Sequence, residues 1–324
     1  MVNIADIAAA ASRLESVIVE TPLISSPVLD EIAGGRVLLK AENLQRTGSF
    51  KMRGAYNLLS QLTPEQAALG VIAFSSGNHA QAVAAAGTEL GIDTTIVMPE
   101  DAPKIKIENT RKLGGKTVLY DRYTGDRETI AREMAAERGC EVVPSYDHEH
   151  IIAGQGTAGI EIANQCADLN IVPDQVYINC SGGGLLAGCA IALVDAYPDV
   201  KMFAVEPEEF DDTTRSLKSG VRETIDVTAN SICDALQVGI PGKLTFEINK
   251  RLLAGAMLVS DDEVWDAIRF AFQHLKLVVE PGGAASLAAI LSGKVATQNK
   301  VTVGMLSGGN IDPEMFASIQ TEGV

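Results

Sequence analysis

The sequence predicts an α/β protein built on two mainly parallel, twisted sheets, each flanked by helices. Three observations predict it. Short apolar runs alternate with helical stretches in two successive series, the pattern of parallel βαβ units. No fixed-period repeat, Pro-rich linker or low-complexity tract interrupts them. The 324 residues, 46% hydrophobic and 21% charged, are two domains' worth of an ordinary globular chain with a large core.

In chain order, the opening MVNIADIAAAASRLESV carries Asp6, Arg13 and Glu15 through its apolar run, so it reads as an amphipathic helix and not as a signal peptide. The first series then runs VIAFSS (71–76), a helix from Ala80 to Leu90, TTIVMP (94–99), a helix to Leu113, KTVLY (116–120), a charged helix to Arg138, and CEVVPSY (140–146). The second runs from a helix around Gly156 to Leu169 through QVYINC (175–180), a helix from Gly184 to Ala196 and KMFAVE (201–206). A helix containing Trp265, one after EPGGA (280–284) and the run VTVGML (301–306) complete it.

Composition excludes several classes of function. With 26 basic against 42 acidic residues the formal charge is -16, which repels nucleic acid and anionic lipid over most of the surface. An anionic ligand therefore needs a local site. The longest uncharged run, Gln175 to Val194, reaches membrane-spanning length but contains Asn179, Ser181 and three successive glycines, which suit a strand, a turn and a helix. The expectation is a soluble, cytoplasmic protein without nucleic-acid or membrane partners. Five cysteines without a CxxC pair suggest neither a disulfide framework nor a zinc ribbon.

Ligands of such sheets bind at the carboxyl ends of strands, and three turns there are unusual. FSSGNHAQ (74–81) groups Ser75, Ser76, Asn78 and His79 where a helix opens, presenting hydroxyls, an amide and free N–H groups that suit a carboxylate. An ordinary serine cap explains the same residues. NCSGGGLLAG (179–188) places Gly182, Gly183 and Gly184 between a strand and a helix, where bare backbone N–H groups can wrap a phosphate. Glu206 at the end of the next run offers a rival, a ribose-binding acid, but G-G-G-x-x-x-G is off the dinucleotide fingerprint. MLSGGN (305–310) again joins a hydroxyl, two glycines and an amide. Lys51, locked between Phe50 and Met52 without an obvious carboxylate partner, completes a set that together describes a pyridoxal phosphate enzyme.

SFKMRGAYN, SSGNHAQ, IAGQGT (152–157), SGGGLLAG, AVEP and SGGN, in this order over nearly the whole chain, resemble the fold-type II pyridoxal phosphate family of serine/threonine dehydratases and serine racemases. Each motif is weak alone, and six in order are specific. The resemblance implies the tryptophan synthase β-like fold, a large pyridoxal phosphate-binding domain of residues 1–68 plus 147–324, a small domain of residues 69–146, and a homodimer. It implies a dehydratase, an ammonia-lyase that converts L-threonine or L-serine to a 2-oxo acid and ammonia.

By the same resemblance Lys51 forms the internal Schiff base and acts as base at Cα, helped by burial that favours its neutral form. Phe50 packs on the ring, and Asn78 meets its 3-hydroxyl. Gly182, Gly183, Gly184 and Leu185 cradle the phosphate, with Ser181 where relatives often carry another glycine, and Ser307 partners the pyridine nitrogen. Ser75, Ser76, Asn78 and His79 hold the substrate carboxylate. Ser76 matches the acid/base serine of racemases, so racemase side activity is a second expectation, against a purely structural serine. Glu206, the carbonyl of Phe210, and Asp212 resemble a divalent-cation site for Mg, Ca or Mn, two carboxylates and a carbonyl suiting a hard ion; a solvated acidic loop is the plainer alternative.

Two departures bear on substrate. Glu133, beside Arg132, stands where racemase relatives show an arginine, and Cys233-Asp234-Ala235 replaces their Ala-Asp-Gly. Arg122 and Arg127 are left to meet a second carboxylate. That keeps open 3-hydroxyaspartate, or a substrate from the breakdown of hydroxylated compatible solutes such as hydroxyectoine. A catalytically silent binding protein and a nicotinamide oxidoreductase are the readings from other classes.

Overall fold

The computed structural model describes residues 1–75, 77–102, 104–121 and 123–321. Ser76 and Arg122, both singled out above, lie outside the described residues. Among the described residues ten strands form two sheets: β1 (Leu23–Ser25), β2 (Arg36–Ala41), β3 (Val71–Phe74), β4 (Thr94–Pro99), β5 (Lys116–Tyr120), β6 (Glu141–Val142), β7 (Gln175–Asn179), β8 (Lys201–Pro207), β9 (Leu253–Val259) and β10 (Val301–Leu306). One sheet has the order β1-β2-β10-β7-β8-β9, the other β5-β4-β3-β6. Every pairing is parallel except β1 with β2. The α/β class with two parallel sheets flanked by helices is as expected.

Both sheets are covered on both faces, so their strands read as continuous apolar runs. In β2, Val37 and Leu39 join the core that holds Tyr177, Val205 and Leu287, while Leu38 between them joins the opposite core with Val176, Ile178 and Leu186. In the smaller sheet, Val71 and Ala73 face one core and Ile72 the other. This is the period-two alternation of a pleated strand. The helices Gly184–Ala196 and Pro281–Leu291 are apolar on nearly every face and buried accordingly, as sandwiched helices must be.

Three elements differ from the sequence reading. CEVVPSY pairs only over Glu141–Val142, because Pro144 has no N–H for the ladder. The helix expected around Gly156 starts at Glu149, so IAGQGT lies inside it. Gly156 and Gly188 let this helix touch Gly184–Ala196: a Cβ on Gly188 would sit 2.3 Å from the carbonyl of Ile152. β1, β2 and β9 have no counterpart in the sequence reading. The N-terminal helix is present as Ile4–Leu14, with an Asn3/Asp6 capping box.

Arg53, fully buried in the helix Lys51–Leu59, bolts that helix to the large sheet. Its Nε and one terminal nitrogen donate to Glu42 at 2.8 and 2.7 Å. Its terminal nitrogens also donate to Glu161 at 2.6 and 2.8 Å and to Thr157 Oγ1 at 3.1 Å. All five guanidinium N–H groups are thereby engaged. Lys40 of β2 completes the cluster, donating to Glu161, Gln165 and the carbonyl of Thr21. The five cysteines are free, and among the described residues no helix is long and apolar enough to cross a membrane.

Candidate active site

The three turns and Lys51 converge where the two sheets meet. Thr47 and Gly48 both adopt positive φ, 63° and 72°. A Cβ on Gly48 would lie 2.5 Å from Asn310 Oδ1, so only glycine allows the turn that delivers Ser49, Phe50 and Lys51. The turn is sewn to the end of β10, Phe50 N–H donating to the carbonyl of Ser307 at 3.2 Å. Lys51 then starts its helix half-buried, with Nζ 5.0 Å from the Phe50 ring centre and donating to the carbonyl of Ser145 at 2.8 Å. Among the described residues no carboxylate comes within ion-pair distance of it. Burial lowers the ammonium to a pKa of about 8, only partly offset by the nearby Glu280 carboxylate.

The glycine turn has the geometry of an anion cradle. The Gly182 carbonyl accepts from Thr245 Oγ1 at 2.6 Å, and the Gly183 carbonyl from Asn249 Nδ2 at 3.3 Å. A trans peptide sets each following N–H antiparallel to its carbonyl, so the N–H groups of Gly183 and Gly184 face the other side of the loop. Gly183 has φ +89°, and a Cβ on Gly182 would sit 2.4 Å from the ring of Tyr146. Leu185 follows in the first turn of the helix, ahead of Ala187, whose N–H is the first to reach back to Gly183. Ser181 Oγ is buried without a partner.

Asn78 stands between Asn310, the amide of the SGGN turn, and Glu280, an acid that sequence reasoning missed. Its Nδ2 donates to Glu280 at 2.5 Å and its Oδ1 accepts from Asn310 at 2.7 Å. Burial, reinforced by Asp234, pushes the Glu280 carboxyl up to about 7. A Cβ on Gly308 would lie 2.0 Å from Glu280 Oε1, which explains one glycine of SGGN; the acid itself, at the start of EPGGA, had no local signal. Ser75 Oγ accepts from Gly77 N–H at 3.2 Å. His79 differs from expectation. Its side chain is only 3% exposed, and Nε2–H donates to the carbonyl of Val143 at 2.9 Å. Burial and the Lys51 charge hold it neutral, down to about 3, so the imidazole offers a carboxylate no positive charge.

Glu206 and Asp212 are fully buried. Glu206 caps the helix Asp212–Ser219, accepting from the N–H groups of Thr213 and Thr214 at 2.9 and 2.8 Å. Both carboxylate oxygens of Asp212 lack a partner. Burial raises both acids, and Glu206 raises Asp212 further. Phe210 is buried beside them. No group of three or more His, Cys, Asp or Glu that could hold a metal exists among the described residues; this site has two carboxylates and a carbonyl.

Arg127, expected to meet a second carboxylate, is exposed over the Phe74 ring; Glu133 lies on the solvent face beside Arg132, which pairs with Glu128. Lys106 crosses instead from the helix Lys104–Lys112 to Asp234 at 2.6 Å, lining a cavity of about 470 Å³ with Pro281 and Asn310.

A half-buried lysine of lowered pKa, glycines that admit no Cβ, an unpartnered buried hydroxyl beside them and a seryl hydroxyl at the end of β10 fit pyridoxal phosphate, and the fold and site together define a fold-type II enzyme. Residues 14–308 match the family described as "Pyridoxal-phosphate dependent enzyme", and the chain belongs to it. It is 43% identical over 314 residues to an L-threo-3-hydroxyaspartate ammonia-lyase of Pseudomonas sp, covering 97% of each. It is 40% identical to a serine racemase of Schizosaccharomyces pombe, covering 96% of this chain and 95% of that one. The crystal structure of a threonine deaminase from T.th. superposes with a TM-score of 0.90 at 39% identity, over 96% of this chain and 99% of that one.

Proposed function

We propose that this chain is a pyridoxal phosphate-dependent ammonia-lyase that removes water from a β-hydroxy amino acid, L-threonine or L-serine, releasing a 2-oxo acid and ammonia. The observation that carries it is Lys51, a half-buried amine with a pKa of about 8 and no carboxylate within ion-pair distance among the described residues. Phe50, Lys51, Asn78, Gly182, Gly183, Gly184, Leu185 and Ser307 would hold the cofactor, which when bound supplies an electron sink for charge developing at Cα. Lys51 Nζ takes the Cα proton, its lowered pKa keeping free amine available near neutrality. Ser75 and Asn78, with the backbone N–H groups of Asn78 and His79 at the helix start, hold the substrate carboxylate, His79 contributing through its main chain.

A second reading, 3-hydroxyaspartate as substrate, is favoured by the 43% identical relative, and racemase side activity by the 40% identical one. One panel tests all three: 2-oxo acid release from L-threonine, L-serine and the 3-hydroxyaspartates, with chiral analysis of residual serine. Turnover of threonine and serine is expected; silence on both, with activity on a hydroxyaspartate, would move the assignment to the second reading.

The orphaned oxygens of Asp212 support a divalent cation, Mg, Ca or Mn, held by Glu206, the Phe210 carbonyl and Asp212. The metal-stripped protein is expected to gain stability with added cation, about 2.7 kcal/mol at a hundredfold excess over Kd, and Asp212→Ala to lose that gain in thermal melts. Localisation in the cytoplasm, a homodimer, and the domain limits 1–68 plus 147–324 and 69–146 belong to the same proposal; a solution mass of two chains checks the dimer.

A further inference from the structure

Asn179, the last residue of β7, is 5% exposed and has no role in the site described above. Its carboxamide orientation is fixed from outside: Oδ1 accepts from the N–H of Ser286 at 2.6 Å. Nδ2 is thereby aimed at three acceptors, the carbonyls of Gly283 and Met305 at 2.8 and 3.1 Å and Ser307 Oγ at 3.0 Å. An amide nitrogen only donates. The two amide protons are shared among three acceptors, and Ser307 Oγ finds no acceptor on this side, so its single proton turns away from Asn179. The two carbonyls have other donors, Ser307 N–H on Gly283 and Ser286 Oγ on Met305, so the backbone does not depend on the amide for satisfaction.

We propose that Asn179 is a positioning residue that sets the rotation of the Ser307 hydroxyl so that it presents its proton, and not a lone pair, to the ligand atom it faces. The inference rests on the pyridoxal phosphate reading, in which that atom is the pyridine nitrogen. A hydroxyl that donates leaves the nitrogen an acceptor and unprotonated; a hydroxyl that accepts stabilises the pyridinium. One buried amide thus selects between a weak and a strong electron sink. The weak sink suits expulsion of a β-substituent over chemistry that needs a long-lived carbanion.

The test reads the ring nitrogen directly, by ¹⁵N NMR of protein loaded with ring-labelled pyridoxal phosphate. The wild-type resonance is expected at the neutral pyridine position across the neutral pH range. Asn179→Asp replaces the donor by an acceptor of the same size, keeps the partner of Ser286 N–H, and turns the hydroxyl round; its resonance is expected to move to the pyridinium position. An unmoved resonance in a loaded, folded Asn179→Asp protein would overturn the inference while leaving the cofactor reading intact. Failure of the wild-type chain to take up the label would overturn the cofactor reading itself, and this inference with it. Should the variant not fold, neutron diffraction of the wild-type holoenzyme decides: a Ser307 deuteron pointing away from Asn179 supports the proposal, and one on the Asn179 side refutes it.

Discussion

Lys51→Ala is expected to lower turnover of every β-hydroxy amino acid by roughly 10⁴-fold or more, the upper range for losing a positioned proton acceptor, and to remove the visible absorbance of the bound cofactor. The fold should survive. Lys51 makes one hydrogen bond, to the carbonyl of Ser145, and leaves no buried carboxylate uncompensated when it goes. The melting temperature of the variant without cofactor should therefore stay close to that of the wild type without cofactor. Turnover within tenfold of wild type would sink the proposed role of Lys51, and a large fall in melting temperature would mean that the lysine is structural.

Arg53→Ala, only two residues further on, is expected to do the reverse, costing about 3–5 kcal/mol of stability because removal of one member strands buried charge. Glu42 would lose two charge-assisted hydrogen bonds and Glu161 another two. The pH dependence carries a sign. In the wild type burial pushes Glu42 up, but the Arg53 charge and hydrogen bonds outweigh it and hold the carboxyl below its ordinary value. A depressed carboxyl contributes stability above the unfolded pKa and loses it as pH falls through the folded one. Without Arg53 only the Lys40 charge and the Thr21 hydroxyl are left to oppose burial, so the carboxyl moves up. The difference between the two proteins in urea denaturation should then be largest near neutrality and shrink on acidification through the carboxylate range. A pH-independent difference under 1 kcal/mol would mean that water enters and solvates the cluster.

Strands with β-branched runs and polar turns were readable from the sequence because their signal is local: TTIVMP and QVYIN match β4 and β7. β9, LAGAMLV, was not, since alanine, glycine and methionine carry no strand preference and its partner β8 alone makes it a strand. RVLLKA of β2 hides behind Lys40, a charge inside an apolar run whose countercharge, Glu161, lies far along the chain. Lys51 and the glycines were legible because each needs its neighbours in sequence. Glu280, Tyr146, Asp147 and Asn179 were not, because what gives each its place is a contact made across the fold. Asp147 shows the point: it accepts from the N–H groups of Lys243, Leu244 and Thr245, capping a helix that comes nearly a hundred residues later. His79 was legible as a turn residue, but its ring direction depends on Val143 and the interior around it.

The central place of β10 in the large sheet has a consequence for biosynthesis. β2 pairs with β10 in a register that matches Arg36 to Val301, so the strand leading to Lys51 waits for a neighbour made 265 positions later. At ribosomal rates that is on the order of 10 to 50 seconds. During that interval the smaller sheet, whose strands all fall between residues 71 and 142, has every one of its partners and can form on the nascent chain. The lysine, the glycine turn and Ser307 become one site only when the last strand slides between β2 and β7. Closing so long a loop slows that insertion, and competence for the cofactor arrives only with β10.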